Sequence, residues 1–137
     1  MSRGLLLDTN ALSEPLRPNP SPRLLSLMKR RRRELYTAAP VWHELCFGAK
    51  RLPACAKREA IELYLSEVVA KTMPILPYDE EAAAIHAAER ARLVSIGRTP
   101  AFVDGQIAAI ALANDLTVVT ANRDDFKCFA HLEVKSW

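Results

Sequence analysis

Glycine is scarce in this sequence, with four in 137 residues at Gly4, Gly48, Gly97 and Gly105. Spread so widely, they build neither a phosphate-cradling loop nor a dinucleotide-binding turn, both of which need clustered glycines. Cysteine is equally sparse. Cys46, Cys55 and Cys128 are odd in number and include no Cys-x-x-Cys pair. That argues against a disulfide framework or a zinc knuckle, and for a reducing, cytoplasmic setting. Cys46 and Cys128 read as small buried hydrophobes rather than nucleophiles. Long apolar runs are missing too. Only Leu5, Leu6 and Leu7 precede Asp8, too few for a secretory signal core. No stretch approaches the roughly 18 apolar residues of a membrane span, so no membrane association is expected. His43, His86 and His131 are scattered, and His43-Glu44 lacks the second histidine, at Phe47, that a zinc-protease helix requires.

What is present is enough for one packed domain over residues 1–137, since half the residues are hydrophobic. Net charge is 19 − 16 = +3, a small excess that by itself says nothing about nucleic acid. Its distribution is more telling. Lys29-Arg30-Arg31-Arg32-Arg33 is a basic run able to contact phosphates. The same run also suits a solvated helix C-terminus, where cations oppose the helix dipole. Trp42 and Phe102 are able to stack on bases, and equally to fill the core or a dimer contact.

The hydropathy pattern alternates short apolar strands with helices. Gly4-Leu5-Leu6-Leu7 reads as a buried strand with Asp8-Thr9-Asn10 at its C-terminal end. Pro15, Pro18, Pro20 and Pro22 punctuate a loop before a helix over residues 21–32. A strand over 35–38 precedes a helix that starts at Pro40, runs to Lys50 and carries Glu44. Ile61, Tyr64, Leu65 and Val68 recur at helical spacing within residues 57–71. A short strand at 73–76 follows, and Asp79 is placed to cap an Ala-rich helix that Gly97 ends. Thr99 and Pro100 open a further helix with an apolar stripe at Val103, Ile107, Ile110 and Ala111. Residues 116–120 form a β-branched central strand, and 132–135 a last short one. This order predicts an α/β protein with a mainly parallel sheet and helices on both faces.

In such folds ligands gather at the C-terminal ends of the strands. Asp8 ends the first strand, and Asp124 and Asp125 follow the strand that ends at Thr120. Glu44 and Asp104 lie in helices rich in apolar residues. Each carboxylate alone suits a helix cap or an exposed charge. Several converging on one sheet edge would repel one another unless a cation neutralised them. Oxygen-only donors favour Mg²⁺ or Mn²⁺ over zinc, and such ions suit phosphodiester chemistry without a protein nucleophile.

Four blocks then carry a resemblance. Leu5-Leu6-Leu7-Asp8-Thr9-Asn10-Ala11-Leu12-Ser13-Glu14 resembles the opening of the PIN domains of bacterial toxin–antitoxin systems, the VapC and FitB-like proteins. Pro40-Val41-Trp42-His43-Glu44-Leu45-Cys46-Phe47-Gly48 resembles that family's Glu-Leu-x-x-Gly helix. Val103-Asp104-Gly105-Gln106-Ile107-Ala108-Ala109-Ile110-Ala111 is similar to its Asp-x-x-Ile-Ala-Ala helix. Val118-Val119-Thr120-Ala121-Asn122-Arg123-Asp124-Asp125-Phe126 is similar to its closing Thr-x-Asn-x-x-Asp-Phe block. The blocks fall in order along essentially the whole chain.

The resemblance implies a three-layer α/β/α PIN-like fold and a Mg²⁺- or Mn²⁺-dependent endoribonuclease acting on structured RNA, commonly transfer RNA. It implies a homodimer held inactive by a small antitoxin, with DNA met only through that antitoxin. Carried over by motif, Asp8, Glu44 and Asp104 are the core acidic ligands, and the fourth position falls on Asp125 or the adjacent Asp124. Asn10, Thr120 and Asn122 would orient carboxylates or water. Ala121 departs from the family's frequent arginine, leaving Arg123 as a replacement cation. Arg123 joins Arg30, Arg31, Arg32 and Arg33 as an expected RNA contact.

Two other readings compete. Asp8 at a strand end would serve as the nucleophile of a phosphohydrolase, but the dehalogenase-type pattern wants an aspartate where Asn10 stands. A PIN-like scaffold that only holds RNA is the other, and the presence of all the core acidic positions argues against it.

Overall fold

The computed structural model describes residues 3–137. Strand β1 (Leu5–Leu7) is fully buried, its three leucines at most 2% exposed. Asp8 follows and caps a short helix α1 (Thr9–Ser13), an element the sequence pattern did not announce. Helix α2 (Pro22–Arg30) takes Ser21 as its N-cap, the hydroxyl accepting the Leu24 N–H at 3.3 Å. Strand β2 (Leu35–Ala38) leads directly into α3 (Ala39–Lys50).

Beyond it, α4 (Ala56–Leu63) passes through a π-helical turn (Tyr64–Val69) into α5 (Ala70–Thr72). Strand β3 is only Ile75–Leu76, shorter than the expected 73–76 because Met73 still closes the preceding helix onto the Val69 carbonyl. Helix α6 (Glu80–Ser95) is capped by Asp79, whose carboxylate accepts the Ala82 N–H at 2.9 Å, and ends at Gly97 with φ of 77°. Helix α7 (Phe102–Ala113), strand β4 (Thr117–Val119) and strand β5 (Val134–Lys135) complete the chain.

All four pairings are parallel and the strand order is β3-β2-β1-β4-β5. The chain therefore works outward from β1 in one direction, then returns to its other side through β4. The order reverses between β1 and β4, the place where open parallel sheets leave a crevice at their C-terminal edge. Leu7 pairs with Val119, and the Asp8 N–H donates to the Val119 carbonyl at 3.1 Å, so Asp8 and Thr120 emerge side by side. Helix α7 buries Gly105 and every residue from Ile107 to Ala111, which is why its sequence is apolar all round. Among the described residues no helix is long and apolar enough to cross a membrane.

The π turn corrects one expectation. A regular 3.6-residue helix through Ile61, Tyr64 and Leu65 would turn Val68 inward. The wider turn slips the register, so that Val68 is 45% exposed and Val69 is fully buried. Within it the Tyr64 hydroxyl donates to the Leu12 carbonyl at 2.7 Å, tying this helix to the end of α1. Burial pushes that phenol up to about 12. Tyr64→Phe is expected to cost about 1 kcal/mol, because it leaves the Leu12 carbonyl short of a donor. Urea unfolding at neutral pH reads this directly, and an unchanged midpoint would show that the bond contributes nothing.

Candidate active site

The acidic cluster grows from the β1–β4 junction. The extended backbone at Asp8 turns its carboxylate back over α1, where it accepts the Ala11 N–H at 2.8 Å. The Thr120 side chain and the Asn10 backbone also hydrogen-bond it. Asp8 is nearly fully buried, at 5% exposed. Burial raises its proton affinity more than these bonds lower it, and the negative charge of Asp125 adds to the rise. A buried carboxylate with such fixed partners is oriented before any ligand arrives.

Asp104 stands in the first turn of α7, half-buried. Its carboxyl is pushed up to about 6 by burial first, then by Asp125 and Asp8. Three aspartates from distant parts of the chain thus act on one another. Asp125 comes from a 3₁₀ turn (Arg123–Asp125) that Asn122 caps by accepting the Asp124 N–H at 3.2 Å. The Asn122 N–H donates in turn to the Thr120 hydroxyl oxygen at 3.1 Å. Thr120 therefore links the loop to Asp8, while the Asn122 side chain serves its own turn.

Of the neighbouring aspartates, Asp125 is the one whose charge acts on both Asp8 and Asp104. Asp124 is paired at 3.0 Å with Lys127, both side chains largely exposed. An open cleft of about 360 Å³ is lined by Asp104, Asp124, Asp125 and Arg98. Arg98 was not singled out by its sequence; an arginine before Thr99-Pro100 carries no motif of its own.

Other expected positions lie elsewhere. Glu44 is exposed on α3 and is not among the groups acting on Asp8 or Asp104. Asn10 is exposed and reaches Asp8 through its backbone. The basic run does not form one helix end, because α2 stops at Arg30 and Arg32 opens a 3₁₀ turn (Arg32–Glu34) before β2. Arg31, Arg32 and Arg33 consequently sit at the N-terminal edge of the sheet, opposite the carboxylates. Arg31 is further committed to Glu34, at 2.8 Å, and to the Arg3 carbonyl. Any RNA contact these three make would therefore fall on the edge of the sheet away from the acidic cluster. Arg30 instead lines a groove of about 440 Å³ with Arg23, Lys135 and Trp137, and Arg123 is exposed beside Asp124.

Behind α7, His86 is 5% exposed, with Nδ1 at 2.7 Å from the Tyr78 hydroxyl and its ring packed on Gly105. Burial, and then Arg90, lower its proton affinity, so the ring is neutral at physiological pH.

The donor set suits a hard divalent cation: all oxygens, mutually repelling, two of them with raised proton affinity. Among the described residues, though, no three His, Cys, Asp or Glu side chains already stand close enough to share one ion. The cluster also has a cost that stability measurements can read. Asp104 has a folded value near 6 against 3.8 ordinarily, so its contribution to stability is fully present below about pH 4 and is lost as pH rises through 6. In EDTA, Asp104→Asn is expected to match the parent near pH 4. At pH 7.5 it should exceed it by about 1 kcal/mol, after allowing for solvent screening at this half-exposed site. Parallel stability–pH curves for the two proteins would refute the coupling.

Comparison with known proteins gives a consistent answer. The family model described as PIN domain matches residues 5–132. Toxin FitB of Neisseria gonorrhoeae is 36% identical over 125 residues, covering 89% of this chain and 90% of that protein. VapC ribonuclease Y4jK of Sinorhizobium fredii is 29% identical over 136 residues, 97% of each. The crystal structure of FitAcB from Neisseria gonorrhoeae superposes with a TM-score of 0.86 at 35% identity, covering 95% of both chains.

Proposed function

This chain belongs to the PIN-domain family, and from that premise we propose that it is a metal-dependent endoribonuclease, the toxin of a toxin–antitoxin pair. The observation that carries the reading is the mutual repulsion of Asp8, Asp104 and Asp125 at the reversal point of a parallel sheet. The names of relatives, a toxin and a VapC ribonuclease, point the same way.

In this proposal Asp8, Asp104 and Asp125 hold Mg²⁺ or Mn²⁺, with Glu44 joining them by its place in the Glu-Leu-x-x-Gly block. When bound, the ion supplies Lewis-acid polarisation of a phosphodiester oxygen and activation of water. The chain's own residues do the rest. Ala11, Thr120 and the Asn10 backbone hold the Asp8 carboxylate in one orientation, which avoids reorganisation during the reaction. Thr120 and Asn122 set the loop that delivers Asp125. Arg98 borders the cleft, and exposed Arg123 precedes Asp124 in its rim; both offset the repulsion between the carboxylates and an approaching phosphate backbone.

The rest of the reading follows as proposals. The substrate is structured RNA such as transfer RNA. A small antitoxin restrains the enzyme by presenting Arg or Lys to the carboxylates, and brings the complex to DNA. The active form is a cytoplasmic homodimer of a single-domain chain. The test is cleavage of total and transfer RNA by antitoxin-free protein with Mg²⁺ or Mn²⁺, with EDTA, and with Asp8→Asn. Discrete fragments that vanish in EDTA and in the variant are expected. Intact RNA under every metal condition would sink the reading.

A further inference from the structure

Behind the acidic cleft lies a second, more enclosed cavity of about 120 Å³. His86 and Arg90 of α6, Arg98 and Pro100 of the loop, Phe102 of α7 and Phe129 line it. The two spaces share a wall, since Arg98, Thr99, Pro100 and Ala101 border both. A group seated in the small cavity is therefore one wall away from Asp104 and Asp125.

We infer that this cavity receives one unpaired nucleobase of the RNA, flanking the phosphodiester presented to Asp8 and Asp104; the inference rests on the ribonuclease reading above. Size is the first argument. The volume falls well below the roughly 300 Å³ or more of pockets that enclose whole drug-sized ligands, leaving room for a single flat ring system. The lining is the second. Phe102 is 51% exposed, the Arg90 guanidinium lies 5.2 Å from its ring centroid, and the His86 ring lies 4.8 Å from it, centroid to centroid, in a T-shaped arrangement. An exposed aromatic ring beside a guanidinium forms the stacking platform that single-stranded nucleic acid uses.

Charge is the third argument. Among the described residues Arg90 and Arg98 take part in no ion pair. The planar fork of Arg98 is thus available to base-edge acceptors, or to the phosphate that joins the seated base to the next nucleotide. Phosphates held only by the carboxylate side would meet repulsion; cations at the shared wall remove it. An apolar floor with a cationic mouth, continuous with a cleft built for phosphodiester chemistry, fits a nucleotide better than an apolar protein side chain.

The experiment uses the full chain with Mn²⁺ on a random-sequence RNA pool, with cut positions mapped by sequencing. One position flanking the cut should show a base preference of about tenfold, the scale of one base-edge contact made by Arg98 to a base held on Phe102. Arg98→Ala, on an exposed loop, and Phe102→Ala should flatten that preference, while Phe102→Trp should keep it. A second measurement avoids catalysis. Asp8→Asn protein should bind an RNA oligonucleotide about tenfold more weakly when that position is abasic, and adding Arg98→Ala should erase the difference. Cutting without base preference at any flanking position, or a preference unchanged in both cavity variants, overturns the inference and leaves the ribonuclease reading standing. So would variants that release a protein partner yet cut with unchanged preference. A pool left whole by the parent chain would remove the ribonuclease reading, and this inference with it.

Discussion

Asp8→Asn is expected to lower RNA cleavage on the order of 10³-fold while leaving the fold intact. Two properties of the site make asparagine the informative replacement. Its side-chain oxygen still accepts the Ala11 N–H, so the N-cap of α1 survives. Its lost charge removes the repulsion that burial and Asp125 impose. In EDTA at pH 7.5 the variant should therefore melt no lower than the parent. Added Mn²⁺ should raise the melting temperature of the parent and not of the variant, because only a protein that binds the ion gains from it. Asp8→Ala loses cap and charge together, so it should be less stable than Asp8→Asn by about 1 kcal/mol. Cleavage retained within tenfold by Asp8→Asn would place the chemistry elsewhere.

Gly105→Ala is the second large effect, and it runs against helix propensity. Replacing a mid-helix glycine with alanine ordinarily stabilises by about 1 kcal/mol. Here a Cβ would meet the His86 ring, with Cδ2 at 2.8 Å and Nε2 closer still. Moving the ring into the adjoining cavity would cost its contacts. Tyr78 holds its Nδ1, Phe102 packs against it in a T-shaped pair, and it is 5% exposed. Overpacking of this kind costs about 1–3 kcal/mol, so after the propensity gain the net expectation is a loss of about 1 kcal/mol, or roughly 3–4 °C in melting temperature. The damage should also reach the chemistry, because Asp104 is the preceding residue. Adding His86→Ala to Gly105→Ala should recover part of the loss, a non-additivity expected only of groups in contact. A melting temperature raised by Gly105→Ala alone would show that propensity outweighs the clash.

These two sites differ in how far the sequence reveals them. Asp8 announces itself, standing directly after an apolar strand and opening a motif. Gly105 lies inside another motif, but its reason is His86, which in the sequence is one of three scattered histidines. Nor does the sequence separate Asp124 from Asp125, whereas in the fold Asp125 acts on Asp8 and Asp104 and Asp124 pairs with Lys127.

The sequence by itself determined the strand-helix alternation, the Asp79 cap, the Gly97 stop, the buried apolar helix α7 and the family. All of these depend on neighbours within a few residues or on motif order. The tertiary structure alone decided which aspartates meet, that Val69 rather than Val68 enters the core, and that Arg31–33 lie on the edge away from the carboxylates. The physical reason is that proximity across the sheet is set by the parallel pairing of β1 with β4, and facing by the local winding of the helix. A change of one residue per turn, or the edge from which a strand starts, leaves composition and periodicity almost untouched.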